Sequence, residues 1–446
     1  MEPTIFKFVR EVLVPHDVPG LSDEERRRRL EFSMKFQQYT GPVQAKGLED
    51  TAFYRYNVLI SLNEVGGDPG RFGSTIKEFH DANLRRRNDW PHSMLATGTH
   101  DTKRGEDARA RINVISEIPD LWRKHVLEWA EMNKSARISH DDDIVPDPND
   151  EYLYYQALLG AWPADPSSET KETLAERMKA YMIKALRESK LRTSWIAPNE
   201  EYEKGVEHFV HDTILGAAAA SFWPSFEAAA RRIAQWGMIN SLAQVVLKTA
   251  SPGVPDFYQG AELWDLSLVD PDNRRPVDYA RREEWLRALD SVLSAPEAAR
   301  VEPLQKMIAE WPDGKIKLLV TATSLRLRQS LSDIFLDGSY VPLYAQGPRA
   351  EQVVAFLRRL ENRAVLAVAP RWPSGFPDGL LGDPAWQGTT IALPGDLAGH
   401  VWRNVFTDES VELKNRGAMP VVEMSRLLQR FPVGLFHNQP PAPPTK

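Results

Sequence analysis

The stretch from Met94 to Arg111 places the tightest constraint on the fold. An apolar run of three residues, Met94, Leu95 and Ala96, leads into Thr-Gly-Thr-His-Asp and then into charged residues of helical character. This pattern predicts a brief strand that ends in the pair His100 and Asp101 and turns into a helix. A carboxylate at the carboxyl end of a strand that feeds a helix is how α/β barrels place reactive groups. The same residues admit a plainer reading, in which Asp101 caps the free amides of the helix. Glu106 and Asp107 would then favour the positive end of its dipole. On the residues alone this plainer reading leads, and His100 likewise reads more readily as a hydrogen-bonded core histidine than as a catalytic one.

The chain of 446 residues is long enough for two or three domains and a large core. A net charge of −7 gives no electrostatic case for nucleic acid or an anionic membrane surface. The dense basic run Glu24–Arg29 is flanked by acids and reads as a solvated helix face. With no cysteine, thiol nucleophiles, disulfides and Cys-ligated zinc are excluded, which suits a reducing compartment. The N-terminus lacks the apolar core of a signal peptide, and no apolar run approaches the about 18–20 residues that span a bilayer. A cytoplasmic location is therefore expected. No metal or organic cofactor is expected either; the acidic triplet Asp141–Asp143 reads as a solvated turn. Thirteen tryptophans are mostly core filler, with a few available as flat platforms for sugar rings.

Along the chain, residues 1–90 read as helical, with breaks at Pro15–Gly20 and Gly66–Gly70 and a capping box at Ser22–Glu25. Leu48–Leu62 and 74–88 are expected to be helices. Trp236, Ile239, Leu242, Val246 and Ala250 repeat at helical spacing. Ser251-Pro252-Gly253 ends that helix, and Val254–Gly260 follows as a short buried strand and loop. After a helix at Ile316–Leu331, β-type runs are expected at Tyr340–Ala345, Val353–Leu360, Ala364–Ala369, Thr389–Leu393, Val401–Phe406 and Val421–Met424, separated by turn residues as in an antiparallel sandwich. Gln439–Lys446 reads as a disordered tail.

Three long segments resemble maltooligosyl trehalose synthases, members of the α-amylase superfamily. They are Tyr39–Asn57 (YTGPVQAKGLEDTAFYRYN), Ala96–Arg111 (ATGTHDTKRGEDARAR) and Lys248–Asp278 (KTASPGVPDFYQGAELWDLSLVDPDNRRPVD). The resemblance implies a fold of α/β plus β: the late strands of a (β/α)8 barrel, helical insertions and a C-terminal antiparallel β-sandwich. The implied divisions are 1–104 (helical segment and seventh strand), 105–235 (insertion), 236–290 (last helix and eighth strand), 291–438 (β domain with a leading helix) and the tail 439–446.

The implied activity is intramolecular transglucosylation, which turns the reducing-end α-1,4 bond of a maltooligosaccharide into an α,α-1,1 bond. Asp101 would stabilise the transition state and His100 would bind the same sugar. Lys46, Glu49, Asp50, Lys103 and Arg104 are candidate polar walls of the pocket, each also readable as a structural ion pair. Tyr258 belongs to the segment that resembles the eighth strand. A retaining glycosyl transfer needs two further carboxylates about 5–5.5 Å apart. In the superfamily these lie in an Arg-x-Asp-His-type segment and on the following strand, ahead of the seventh. No such segment precedes Asp101 here. The expectation is therefore the C-terminal part of a synthase, inactive alone and completed by an N-terminal barrel half. A glucan-binding or assembly module, and a hydrolase or glucanotransferase of the amylase type, remain alternatives.

Overall fold

A computed structural model describes residues 3–14, 19–140, 143–416 and 419–439. The expected break at residues 15–18, Asp141 and Asp142 of the acidic triplet, and all but the first residue of the expected tail lie outside the described residues.

Helices α1 (Pro3–Leu13) and α2 (Asp23–Gln44) form a hairpin, pinned where buried Ser33 donates to the Leu13 carbonyl at 2.6 Å. Ser22 caps α2 through the expected box with Glu25. Near its end Pro42 interrupts the regular bonding, and the helix widens into a π-turn at Ala45–Glu49. The continuous helix expected over Leu48–Leu62 is not formed; single turns at Ala52–Tyr54 and Ile60–Leu62 stand in its place. Tertiary bonds account for the difference. The Asn63 amide donates to the Phe53 and Tyr56 carbonyls (2.8 and 2.7 Å), and Gln156 accepts from the Ile60 N–H at 3.0 Å.

After α3 (Ile76–Asp89), strand β1 (Met94–Ala96) forms on the expected apolar run but ends at Ala96, so His100 and Asp101 lie in the turn beyond it and not at the strand end itself. The chain then runs through α4 (Glu106–Asn113), α5 (Pro119–Met132), the ribbon β2 (Ile138–His140) and β3 (Asp143–Val145), α6 (Pro148–Ala161), α7 (Lys171–Ser189), α8 (Glu200–Ile214) and α9 (Ala219–Ala250). Strand β4 (Val254–Asp256) pairs parallel with β1, Met94 opposite Val254. This is a β–helix–β crossover with a large helical insertion. Because α9 is one continuous helix, the division expected at 235/236 falls inside it. α9 packs closely on α4: a Cβ at Gly237 would lie 2.7 Å from Arg111 Cα. Strand β4 is not buried as expected. Val254 is 45% and Met94 71% exposed, because among the described residues no third strand joins this sheet.

Helices α10 (Tyr279–Leu293), α11 (Glu297–Ala309), α12 (Lys315–Ser330) and α13 (Ser332–Leu336) precede the β domain, so its lead-in is longer than the one helix expected. The remaining elements are β5 (Ser339–Leu343), β6 (Ala345–Gln346), β7 (Val353–Leu360), β8 (Arg363–Pro370), β9 (Thr390–Ala392), β10 (Val401–Asn404), β11 (Ser410–Val411), β12 (Lys414–Arg416), β13 (Met419–Glu423), the short α14 (Met424–Leu427) and β14 (Gly434–Gln439). They form two antiparallel sheets, ordered β11-β10-β14-β8-β7-β5 and β12-β13-β9-β6. Trp386, Trp402, Leu366, Val368 and Ile391 fill the space between them. The other face of the larger sheet, with Phe356, Val365 and Ala367, joins the helical core. Both faces are therefore covered, which explains why β7 opens with five apolar residues in a row, Val353–Leu357, rather than an alternating pattern.

Candidate functional site

The carboxyl ends of β1 and β4 converge. A Cβ at Gly98 would sit 3.5 Å from Tyr258 Cβ, so the segments that follow the two strands are in contact. The turn Thr99–Thr102 then presents His100 and Asp101 to solvent. Asp101 is not the cap of α4; that position is Gly105, and packed chain separates the two. Among the described residues the Asp101 carboxylate has no hydrogen-bond or salt-bridge partner. Its charge reaches Lys46: that ammonium is held above its ordinary pKa mainly by its bond to Asp50, with Glu188 and Asp101 adding to the effect.

The π-turn after α2 supplies the neighbouring wall. Asp50 accepts from exposed Lys46 at 2.5 Å and from buried Lys103 at 2.7 Å. Burial alone would raise the Asp50 carboxyl, but the bonds from Lys103 and Lys46 hold it below its usual range. Glu49, on the same turn, accepts from the Gly66 N–H at 3.0 Å and so ties the turn to the Gly-rich loop. Asp101, His100, Lys46, Asp50, Lys103, Glu49 and Tyr258 are thus grouped around the ends of the two strands.

Arg104 departs from the expectation. Its side chain lies in the core, donating to the Ile60 carbonyl (3.0 Å) and the Tyr181 hydroxyl (2.6 Å), because the chain turns inward to pair with Leu268. It braces the site and does not line it. Glu64 is an addition that no local pattern revealed: buried, it accepts from the Lys103 and Arg104 amides at 2.7 and 3.3 Å and pairs with Arg109.

Beneath the turn lies a buried ionic lock that the sequence did not disclose. Lys317 of α12, fully buried, donates to Glu106 at 2.7 Å, Asp107 at 2.6 Å and the Leu263 carbonyl at 3.2 Å. Lys248 of α9 donates to Thr97 at 2.7 Å and to the Asp256 carbonyl at 2.9 Å, and faces Glu106 at 3.4 Å. Thr97 also bonds Glu106. One network therefore joins both strands to α4, α9 and α12. Glu106 and Asp107 serve this lock, and the helix-dipole reading misses their partners.

Burial would raise the Glu106 carboxyl, but Lys317 and Lys248 outweigh it and bring it down from 4.5 to about 2. For Asp107 burial prevails over Lys317 and moves it from 3.8 up to about 6. The two acids therefore shift stability in opposite senses. The contribution of Glu106 is complete above 4.5 and is lost as pH falls toward 2. The contribution of Asp107 is complete below 3.8 and is lost as pH rises through about 6. In urea melts across that span, Glu106→Gln should approach wild type as pH falls, and Asp107→Asn should gain on it as pH rises. A pH-independent difference for both variants would refute this assignment.

The geometry can be set beside known proteins. No protein-family model matches the chain. Two curated proteins of Mycobacterium tuberculosis, strains CDC 1551 / Oshkosh and H37Rv, each named "Putative maltooligosyl trehalose synthase", are 38% identical over 397 residues, which is 88% of this chain and 44% of theirs. The chain is a partial relative of the maltooligosyl trehalose synthases. Solved structures agree with that relation. The maltooligosyltrehalose synthase of Arthrobacter ramosus superposes with a TM-score of 0.74 at 33% identity, over 91% of this chain and 46% of that one. A hypothetical maltooligosyl trehalose synthase of Sulfolobus tokodaii superposes with 0.69 at 31%, over 97% and 53%. The chain spans about half the length of the synthases it matches.

Proposed function

We propose that these residues form the part of a maltooligosyl trehalose synthase that carries the transition-state carboxylate. In the complete enzyme they would act in the intramolecular transfer of the reducing-end glucosyl unit from an α-1,4 to an α,α-1,1 linkage. The observation that carries this reading is an exposed carboxylate, Asp101, that has no partner among the described residues and sits in the turn just beyond the carboxyl end of a parallel strand, in a chain similar to named synthases. A glycosyl transfer that retains configuration passes through an oxocarbenium-like state. A fixed carboxylate beside the ring offsets the growing positive charge, and bonds to the 2-hydroxyl tighten as that charge develops. On this reading His100 orients the same sugar. The ammonium of exposed Lys46, held by Asp50, donates to a hydroxyl of the unit that is released and rejoined, and buried Lys103 braces Asp50 from behind. Tyr258 closes the far wall.

Nucleophile and acid/base would come from a segment outside these 446 residues, on the same polypeptide or on a partner. Two features support such a completion: the edges of the β1–β4 pair, to which no further strand is paired among the described residues, and the exposed apolar side chains of the α1–α2 hairpin, among them Phe8, Phe32 and Phe36. A cytoplasmic setting accords with the absence of cysteine.

The test is a reducing-end assay on maltopentaose. It uses the chain alone and then the chain mixed with a polypeptide that matches the remaining half of the synthases. Activity is expected only in the mixture. Glucan binding without turnover in either case would make it a binding module.

A further inference from the structure

The turn that carries His100 and Asp101 is stabilised locally almost throughout. Thr102 Oγ1 donates to the Thr99 carbonyl at 2.9 Å, and the Asp101 N–H reaches Thr99 Oγ1 at 3.2 Å. Among the described residues one hydrogen bond ties residues 99–102 to a distant part of the chain. Asn273 Nδ2 donates to the His100 carbonyl at 3.0 Å, across 173 positions of sequence.

Asn273 is 9% exposed and occupies the 3-10 turn Asp272–Arg274, which is unusually well anchored. The Asp272 carboxylate accepts from the Leu268 N–H at 2.7 Å and from both arms of the Arg177 fork at 2.9 and 2.8 Å. Arg177 in turn pairs with Glu169 at 2.6 Å, and Lys184 donates to the Asp270 carbonyl at 3.0 Å. A rigid base thus presents a single amide to the turn that bears Asp101. The other end of that amide, Asn273 Oδ1, is buried and has no partner among the described residues. A buried acceptor left unsatisfied costs stability. The residue is therefore poorly explained as a stabilising contact and well explained by what its Nδ2 holds.

We propose that Asn273 is a positioning residue, which fixes the direction of the Asp101 carboxylate by holding the carbonyl of the residue before it. The inference rests on the reading of Asp101 given above. Carboxylates that act on a developing charge lose much of their effect when displaced by about an ångström, and partners behind the reacting groups set that placement.

Two variants test it. Asn273→Asp keeps the shape, removes the donor and turns a carboxylate toward the His100 carbonyl; Asn273→Ala removes the side chain. In the chain as it stands, hydrogen–deuterium exchange of the peptide covering 97–104 should speed up in both, with peptides from α6 and α9 unchanged. In the enzyme completed by its other half, kcat on maltopentaose should fall about ten- to hundredfold with KM nearly constant. Unchanged exchange in both variants would overturn the tether. Faster exchange with unaltered kcat would overturn its effect on Asp101. A wild-type mixture without activity would refute the reading of Asp101 itself, and the exchange data would still decide whether Asn273 holds the turn.

Discussion

Replacing Lys317 by Met is expected to remove about 3–5 kcal/mol of folding stability, the range seen when one partner of a buried ion pair is deleted. Met matches the length of the lysine stem, so the loss is not one of packing. Glu106 would retain Lys248 at 3.4 Å and Thr97. Among the described residues Asp107 would retain only the Asp265 N–H at 2.6 Å, with its second oxygen already unsatisfied. A carboxylate in that position must protonate or draw in water. Denaturant melts at neutral pH read the effect, and adding Asp107→Asn should recover part of it by removing the orphaned charge. A loss below about 1 kcal/mol, the size of an exposed pair, would show that the lock contributes little. Because the network joins β1, β4, α4, α9 and α12, the Met variant should also loosen the turn that carries Asp101.

Asp101→Asn should behave in the opposite way, abolishing turnover without disturbing the fold. The side chain is exposed and unpaired among the described residues, so its effect on stability should stay within about 0.5 kcal/mol. In the completed enzyme, kcat on maltopentaose should fall by at least about 10²–10³-fold, the loss typical of deleting one preorganised electrostatic group. A synthase that keeps its rate after the Asp101→Asn change would remove Asp101 from the mechanism. An unfolded variant would mean that the carboxylate has structural partners absent from this structure.

How far the sequence could be read depended on whether the signal was local. The strand at Met94–Ala96 was legible, because a short apolar run that stops at polar and glycine residues reads as a strand end. The expected bounds of β7, Val353–Leu360, match the strand residue for residue, since five consecutive apolar residues after a turn read as a strand covered on both faces, although Arg358 and Arg359 follow them. β14 was missed, although it lies inside the larger sheet between β10 and β8; Gly434 and the polar residues 437–439 dilute its apolar stretch. The expected helix over Leu48–Leu62 gives way to single turns after Glu49, because Asn63 and Gln156 bond backbone groups there and no local pattern announces them.

The site divides along the same line. His100, Asp101, Lys46, Asp50 and Lys103 all lie in the motifs that carry the resemblance. Lys317 meets its acids across 211 and 210 positions and Lys248 meets Glu106 across 142, so neither left a local trace. Arg104 looked like a pocket wall, because a buried arginine and an exposed one have the same neighbours in sequence.

The most direct test is the chemistry of the product formed from maltopentaose by the chain joined to the remaining half of the synthase, read by anomeric proton NMR. The expected product has the mass of the substrate, no reducing-end signal and a new α,α-1,1 resonance. Glucose and shorter chains with fresh reducing ends would contradict this account and make the site that of a hydrolase.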